Sequence, residues 1–311
     1  AVARAWSTGR GRRFWCRIPN LLYYRHTYRK KTGMNGKDLL SISDLEPDEV
    51  SHIVRKAGQM KRDGTPRLLE GKVVALLFEK PSLRTRVSFE VGVRQMGGSC
   101  IYLSQADVGL GVREPVPDVA RVLDRLVDVI VARVFSHSSL EILAENTSIP
   151  VINALSDLAH PCQALGDMLT IHEHKGSLEH LRVAFVGDGN NIASSLALAC
   201  ASVGADFVIA APQDYQVPTI AWQEARRRAA AGESLLEWVE SPQEAVRDAD
   251  VVYTDVWISM GQEAEGAERL KAFDGYRVDE GLFEAAAPDA VFMHDMPAHR
   301  GEEVSEGMLE H

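Results

Sequence analysis

Cysteine is scarce in this chain of 311 residues, and what there is lies scattered: Cys16, Cys100, Cys162 and Cys200 form no CxxC pair. That leaves no zinc-type spacing and fits a reducing compartment. Long apolar runs are absent, which removes a membrane-spanning helix and with it a membrane partner. Positive charge is scarce beyond residue 33. The formal net charge is −10; the first 33 residues carry seven Arg, two Lys and no acid, so residues 34–311 hold −19. This balance argues against nucleic acid as a partner, and any phosphate must be held by a few local Arg residues. Familiar motifs are missing as well. There is no GxxxxGK[ST] phosphate loop, no complete GxGxxG, no HExxH metal pair and no GxSxG nucleophile elbow. What remains calls for no metal and no organic cofactor.

The acid-free leader, residues 1–33, has no clear amphipathic period. Three readings stand: sequence upstream of a true start at Met34, a mitochondrial-type transit segment, or a basic arm. MNGKDLLSISDLEPDEV resembles a natural amino terminus, which favours the first reading and a cytoplasmic location; a transit segment would imply the mitochondrial matrix. The leader, disordered or not native, is set apart from the fold.

The chain is organised around Lys72 to Gly98. Val73 to Phe78 is a continuous apolar run, the pattern of a strand buried on both faces. Pro81 and Ser82 stop it, Ser82 is a good N-cap, and Val87, Val91 and Met96 follow helical spacing until Gly97-Gly98. Ser82, Leu83, Arg84, Thr85 and Arg86 therefore sit at a strand-to-helix junction. Free N–H groups and the positive helix end are there. Two guanidiniums and two hydroxyls beside that end suit a phosphate-sized anion, and Arg binds phosphate through two parallel hydrogen bonds. A solvated helix start is the plainer alternative.

Strands and helices then alternate. Strands are expected at Cys100–Leu103, Val129–Phe135 and Pro150–Ala154, helices at Asp118–Val127 and Leu140–Glu145, with a loop over 104–117. Residues 156–176 form a helix bridging two halves. The second half repeats the alternation, with strands at Leu181–Val186, Phe207–Ala211, Val251–Val256 and Val291–His294, and helices at Ile192–Val203 and Ile220–Ala231. The pattern predicts an α/β protein of two domains, 34–174 and 175–311, each a parallel sheet flanked by helices.

Four segments at strand ends carry candidate chemistry. VGDGNN (186–191) offers Asn190 and Asn191, with Ile192 where a dinucleotide fold would place its third glycine. HPCQ puts His160 and Gln163 on one face of a helix start, a donor and an acceptor for a planar urea-like group. DVWISMG holds Asp255, Ser259 and Met260, and HDMPAHRGEE holds Asp295, Met296, His299 and Arg300. Each segment alone is also readable as a cap or a solvated connection.

Taken in order, SLRTR, ARVF, HPCQALGD, VGDGNN, DVWISMGQE and HDMPAHRGEEV resemble the successive signatures of the aspartate/ornithine carbamoyltransferase family, and of its ornithine branch in particular, over essentially all of 34–311. The resemblance implies two α/β domains closing over carbamoyl phosphate and L-ornithine to give L-citrulline, the step of arginine biosynthesis, in a homotrimer. It implies that Ser82, Arg84, Thr85 and the backbone of Leu83 hold the phosphate, with Arg86 supporting the loop. Arg133, His160 and Gln163 would contact the carbamoyl group. Asn191, Asp255, Ser259, Met260, Asp295 and Met296 would receive ornithine, with Arg133, His160 and Asp295 catalytic. Leu83 stands where the family usually has Thr, and Asp295 where it has Cys. The family also continues past the position of His311 into a final helix. Two alternatives follow: a carbamoyltransferase for another amine or amino acid, and a non-catalytic binding subunit.

Overall fold

The computed structural model describes residues 36–259 and 261–310. The leader 1–33 and the candidate residue Met260 lie outside the described residues. Ser41 caps a 3-10 turn, Ile42–Asp44, and Asp44 answers with the reciprocal bond of a capping box. Helix α1 (Pro47–Asp63) follows, with Asp48 and Glu49 in its first turn and Lys61 and Arg62 in its last. Both sets of charges agree with the helix dipole.

The first sheet is built from β1 (Val73–Phe78), β2 (Ser99–Ser104), β3 (Val129–Arg133) and β4 (Val151–Leu155), in the order β2-β1-β3-β4 with every pair parallel. Between them run α2 (Leu83–Gln95), α3 (Gln105–Val108), α4 (Val116–Leu126) and α5 (His137–Glu145). The segment read as a loop over 104–117 thus contains a helical turn. Ser104 caps it through a capping box with Asp107, a signature that four residues of helix are too short to announce by apolar period.

Helix α6 (Pro161–Lys175) leads into the second sheet. Its strands are β5 (Arg182–Val186), β6 (Asp206–Ala210), β7 (Leu236–Val239), β8 (Val251–Thr254) and β9 (Val291–His294), in the parallel order β7-β6-β5-β8-β9. Helices α7 (Asn191–Val203), α8 (Thr219–Ala231), α9 (Pro242–Val246), α10 (Gly266–Ala272) and α11 (Glu280–Phe283) complete it. The expected parallel α/β architecture is present in both halves. Besides α3 and the 3-10 turns, the sequence patterns missed the short elements β7 and α9 to α11.

Two packing features position the site. Helix α7 carries no charge, and Ile192 through Val203 are all buried. Its serines cost little inside because Ser194, Ser195 and Ser202 each donate to the carbonyl four residues back. The core around it also takes Ile42, Leu45, Val50 and Val54 from the start of the chain, so α1 packs onto the second sheet's helical layer although it precedes the first sheet. Arg228 of α8 fastens this join. Its side chain is 3% exposed. It donates to Ser202 Oγ at 2.8 Å, to the Ser43 carbonyl at 3.1 Å and to Glu224 Oε1 at 2.9 Å.

Removing that guanidinium takes the buried donor from Ser202 Oγ and the Ser43 carbonyl, while Glu224 keeps Arg227. Arg228→Ala is expected to lower unfolding free energy by about 2–4 kcal/mol. Denaturant melts of the two chains check this, and a matching midpoint and slope would show that the guanidinium does not hold the turn.

Candidate active site

In open parallel sheets, ligands bind beyond the carboxyl ends of strands, where neighbouring connections leave in opposite directions. Both sheets offer such a point. In the first it lies between β1 and β3, and in the second between β5 and β8. Ser82, Arg84, Thr85 and Arg133 fall at the first and Asn190, Asn191 and Asp255 at the second, while His160 and Gln163 follow β4, and Asp295 and Met296 follow β9.

At the first, Ser82 is extended and caps α2, its Oγ accepting the Thr85 N–H at 3.3 Å. The same hydroxyl donates to Thr85 Oγ1 at 2.9 Å, and Arg133 Nη1 donates to Thr85 Oγ1 at 3.3 Å. With both acceptor sites occupied, the Thr85 hydroxyl has only its hydrogen left to offer a ligand. Arg133 ends β3 opposite Phe78 and is 6% exposed. Burial pushes its guanidinium down to about 10; Asp295 opposes that shift and Arg84 adds to it. Its Nε has no partner among the described residues. Arg84 lies exposed on the first turn of α2. Arg86 points elsewhere, paired with Glu90 at 2.8 Å and lying 3.7 Å over the Tyr102 ring. Leu83 is 77% exposed.

The centre is the loop from Ser156 to His160. Fully buried Asn153 donates to the carbonyls of Leu40 and Ala159, and Ser156 Oγ meets His137 Nδ1 at 2.7 Å. Two bonds sew this loop to α7: the His160 N–H donates to Ser195 Oγ at 2.8 Å, and Asn191 Nδ2 donates to the Ser156 carbonyl at 2.7 Å. Burial pushes the His160 imidazole down to about 4, with Asp295 opposing and Arg133 reinforcing. The ring is therefore neutral at pH 7. Its Nδ1 is buried without a partner among the described residues. A bare acceptor is the less costly orphan, so the tautomer assigned carries its proton on Nε2. Gln163, one turn along α6, donates from Nε2 to Asp167 Oδ1 at 2.9 Å.

At the second point, Asp255 follows β8 and Asp295 follows β9. The register Thr254↔His294 puts the two acids side by side. Asp255 accepts from Asn190 Nδ2 and from the Val256 N–H, both at 2.7 Å. Burial, then the charge and hydrogen bond of Asp295, raise Asp255 well above the usual carboxylate range. Burial also opposes ionisation of Asp295, but His294 and the proton shared with Asp255 outweigh it and hold Asp295 low. The pair thus shares one proton. Ligand atoms of Asp255, His294 and Asp295 lie within 4.8 Å of one another. His294 Nδ1 lies 2.9 Å from the Met296 nitrogen and 3.6 Å from Asp295 Oδ1, and its Nε2 faces fully buried Glu303 at 3.2 Å. The Asp255–Asp295 pair is thus the acidic end of the constellation. Met296 adopts φ 64°, a region that costs a non-glycine residue energy and here sets the turn beside Asp295.

Residues the sequence did not single out hold the others in place. The glycines of VGDGNN prove structural: a Cβ on Gly189 would lie 2.2 Å from the Val217 nitrogen. Asp188 of that turn pairs with buried Arg269 at 2.9 Å, and Arg269 also donates to the Trp257 carbonyl at 2.9 Å. Trp257 stacks on Phe273 with ring centroids 5.5 Å apart. These contacts anchor the loop carrying Ser259, whose N–H donates to Gln262 Oε1. A cavity of about 500 Å³ lined by Trp257, Leu270, Arg277 and Glu302 shares only Trp257 with this constellation.

The family model of the aspartate/ornithine carbamoyltransferase carbamoyl-phosphate binding domain matches residues 37–173, and that of the Asp/Orn binding domain matches residues 179–311. The chain is 48% identical over 282 residues to the ornithine carbamoyltransferase of Pyrococcus abyssi, covering 89% of each. It is 47% identical over 280 residues to that of Bacillus subtilis, covering 90% of this chain and 88% of the relative. The solved ornithine carbamoyltransferase of Pyrococcus furiosus superposes with a TM-score of 0.85 at 47% identity, over 88% of this chain and 89% of that one. With both domain models matched in order along the strands that bear the two switch points, the chain belongs to the aspartate/ornithine carbamoyltransferase family.

Proposed function

We propose that the chain transfers the carbamoyl group of carbamoyl phosphate to the δ-amino group of L-ornithine, giving L-citrulline and phosphate. One observation carries this reading: the cleft is graded in charge. Cations and hydroxyls (Ser82, Arg84, Thr85, Arg133) lie at one end, neutral His160 and Gln163 in the middle, and the acids Asp255 and Asp295 at the other. That sequence complements a phosphate, a planar carbamoyl group and an ammonium in a row.

In this reading the phosphate rests on the first turn of α2, on the Leu83 N–H, the Thr85 hydroxyl and Arg84. Arg133 and Nε2–H of His160 donate to the carbamoyl oxygen. The neutral δ-amine attacks the carbonyl carbon, and the oxyanion that forms draws on those two donors, a contribution of about 3–4 kcal/mol for each well-placed one. The C–O bond to phosphate then breaks, and the leaving phosphate takes the proton lost by nitrogen. Asp255, Asp295, Asn191, Ser259, Met260 and Met296 receive ornithine, with Asp295 nearest the reacting amine. The division at 34–174 and 175–311 belongs to the same reading, one substrate to each half. So does a homotrimer. Leu83, Val87 and Val91 on α2 and Ile101 on β2 are 45–77% exposed, an apolar face suited to a second copy of the chain.

Citrulline formation tests the reaction directly. Ornithine should be preferred to putrescine and to aspartate, and a preference for aspartate would overturn the assignment. Arg84→Ala should weaken carbamoyl phosphate binding at least 100-fold by calorimetry. Arg84→Lys should not restore it, because a point charge cannot reproduce the fork.

The acid pair predicts a pH signature. Asp255 is raised in the fold, so the native state binds the extra proton, and stability falls as pH climbs from the ordinary carboxylate value near 4 toward the raised one. Asp295→Asn removes the neighbouring charge. The loss of unfolding free energy between pH 5 and pH 8 should shrink by on the order of 1 kcal/mol, roughly one pK unit. Equal losses in both chains would mean that Asp295 exerts no field on Asp255.

Val87→Asp should split the assembly, read by sedimentation as a several-fold fall in mass with the far-ultraviolet spectrum unchanged. An undiminished mass would remove the α2 face from the interface.

A further inference from the structure

Asp167 is the buried acid that this mechanism leaves unused. It lies on α6, 4% exposed, and both its oxygens are engaged. Oδ1 accepts from Gln163 Nε2 at 2.9 Å, and Oδ2 accepts from the Tyr253 hydroxyl at 3.1 Å. Tyr253 belongs to β8 and is fully buried, its ring stacked on Phe185 with centroids 5.6 Å apart. It cannot swing away to offer Asp167 a different face. The carboxyl is therefore fixed by the second sheet and in turn grips a side chain proposed to meet the carbamoyl group.

The chemistry of the grip is one-sided. An amide presents two donors at one end and an acceptor at the other, and a carboxylate presents acceptors alone. Gln163 must turn its NH2 toward Asp167, since the reverse would set oxygen against oxygen. Its Oε1 is left as the group it can show to the cleft. Carbamoyl phosphate and acetyl phosphate have nearly the same shape, but the first carries NH2 where the second carries CH3. An acceptor at that spot distinguishes them, and a donor would favour neither.

We propose that Asp167 is a positioning residue that fixes the Gln163 amide with its oxygen toward the cleft and so makes the site selective for a carbamoyl over an acyl phosphate. This deepens the carbamoyl-transfer reading and rests on it. Burial pushes the Asp167 carboxyl up to about 7, against the hydrogen bonds of Gln163 and Tyr253 and with the field of Asp295. A proton held on the Tyr253 side still leaves Oδ1 a carbonyl acceptor, so the Gln163 orientation survives protonation.

The test compares binding of carbamoyl phosphate and acetyl phosphate by calorimetry. Asp167→Leu keeps most of the volume and removes both acceptors, so the Gln163 amide is free to turn either end to the cleft. The ratio of the two dissociation constants should move at least tenfold toward equality, while ornithine affinity in the presence of phosphate stays within twofold. Adding Gln163→Glu supplies an acceptor at both ends of that side chain and should restore the preference. An unchanged ratio in Asp167→Leu, or no recovery in the double variant, overturns the proposal. If the parent chain itself binds no carbamoyl phosphate, the reaction assignment fails first, a visibly different result. If Asp167→Leu does not fold, the parent decides: nitrogen NMR of the Gln163 side chain should follow the Asp167 carboxyl as it titrates near pH 7, and a shift that stays constant refutes the contact.

Discussion

The seam between the loop Ser156–His160 and the first turn of α7 governs this site. Two short hydrogen bonds cross it, one from the His160 backbone and one from the Asn191 side chain. The first is made by a backbone N–H, and the second by a side chain that in the proposed reaction also receives ornithine. Together they fix how far the anion cradle on the first sheet stands from the acid pair on the second. A catalytic gap tolerates little error, since an ångström of misplacement is enough to lose much of the benefit of orientation. The network behind the loop runs through Asn153 Nδ2, Ser156 Oγ and His137 Nδ1, buried and bonded at each of those atoms, and it makes such a gap reproducible.

The electrostatics follow from the same geometry. Asp295 acts on Arg133, His160, Asp167 and Asp255, so one carboxylate near the centre biases most ionisable groups around it. Where the family usually has a thiol, this chain carries a charge. It favours an ammonium partner more strongly and pushes its neighbour's proton affinity up. His160 escapes that influence because desolvation is the larger effect, and it stays neutral beside an acid.

Much of this was legible from the sequence, for reasons that can be named. Ser82 announced a helix start because capping is local, and the apolar runs of β1 and β3 announced buried strands because burial on both faces leaves a continuous signal. Asp255 and Asp295 were each visible as acids after a strand, but their contact was not, since it depends on β8 and β9 lying next to each other. Asp167 closes the HPCQALGD signature, but no role for it was legible there. It reads as one acid on a helix, and its contacts are set by Tyr253, 86 positions away. Asp188 and Arg269 were hidden the same way, 81 positions apart. The glycines of VGDGNN stood out in the sequence as part of a broken dinucleotide pattern, and the structure gives Gly189 its own reason, the close approach of the Gln216–Val217 backbone.

The placement of α1 has a consequence during synthesis. Ile42, Val50 and Val54 leave the ribosome early, yet the surface that covers them includes Leu196 and Phe207, some 140 to 165 residues later. At roughly 5–20 residues per second, α1 waits on the order of ten seconds with its apolar stripe unmatched. Over that interval the first sheet can form from its own strands while the helix before it cannot find its seat. The nascent chain therefore carries an apolar stripe whose cover is complete only once α7 has emerged.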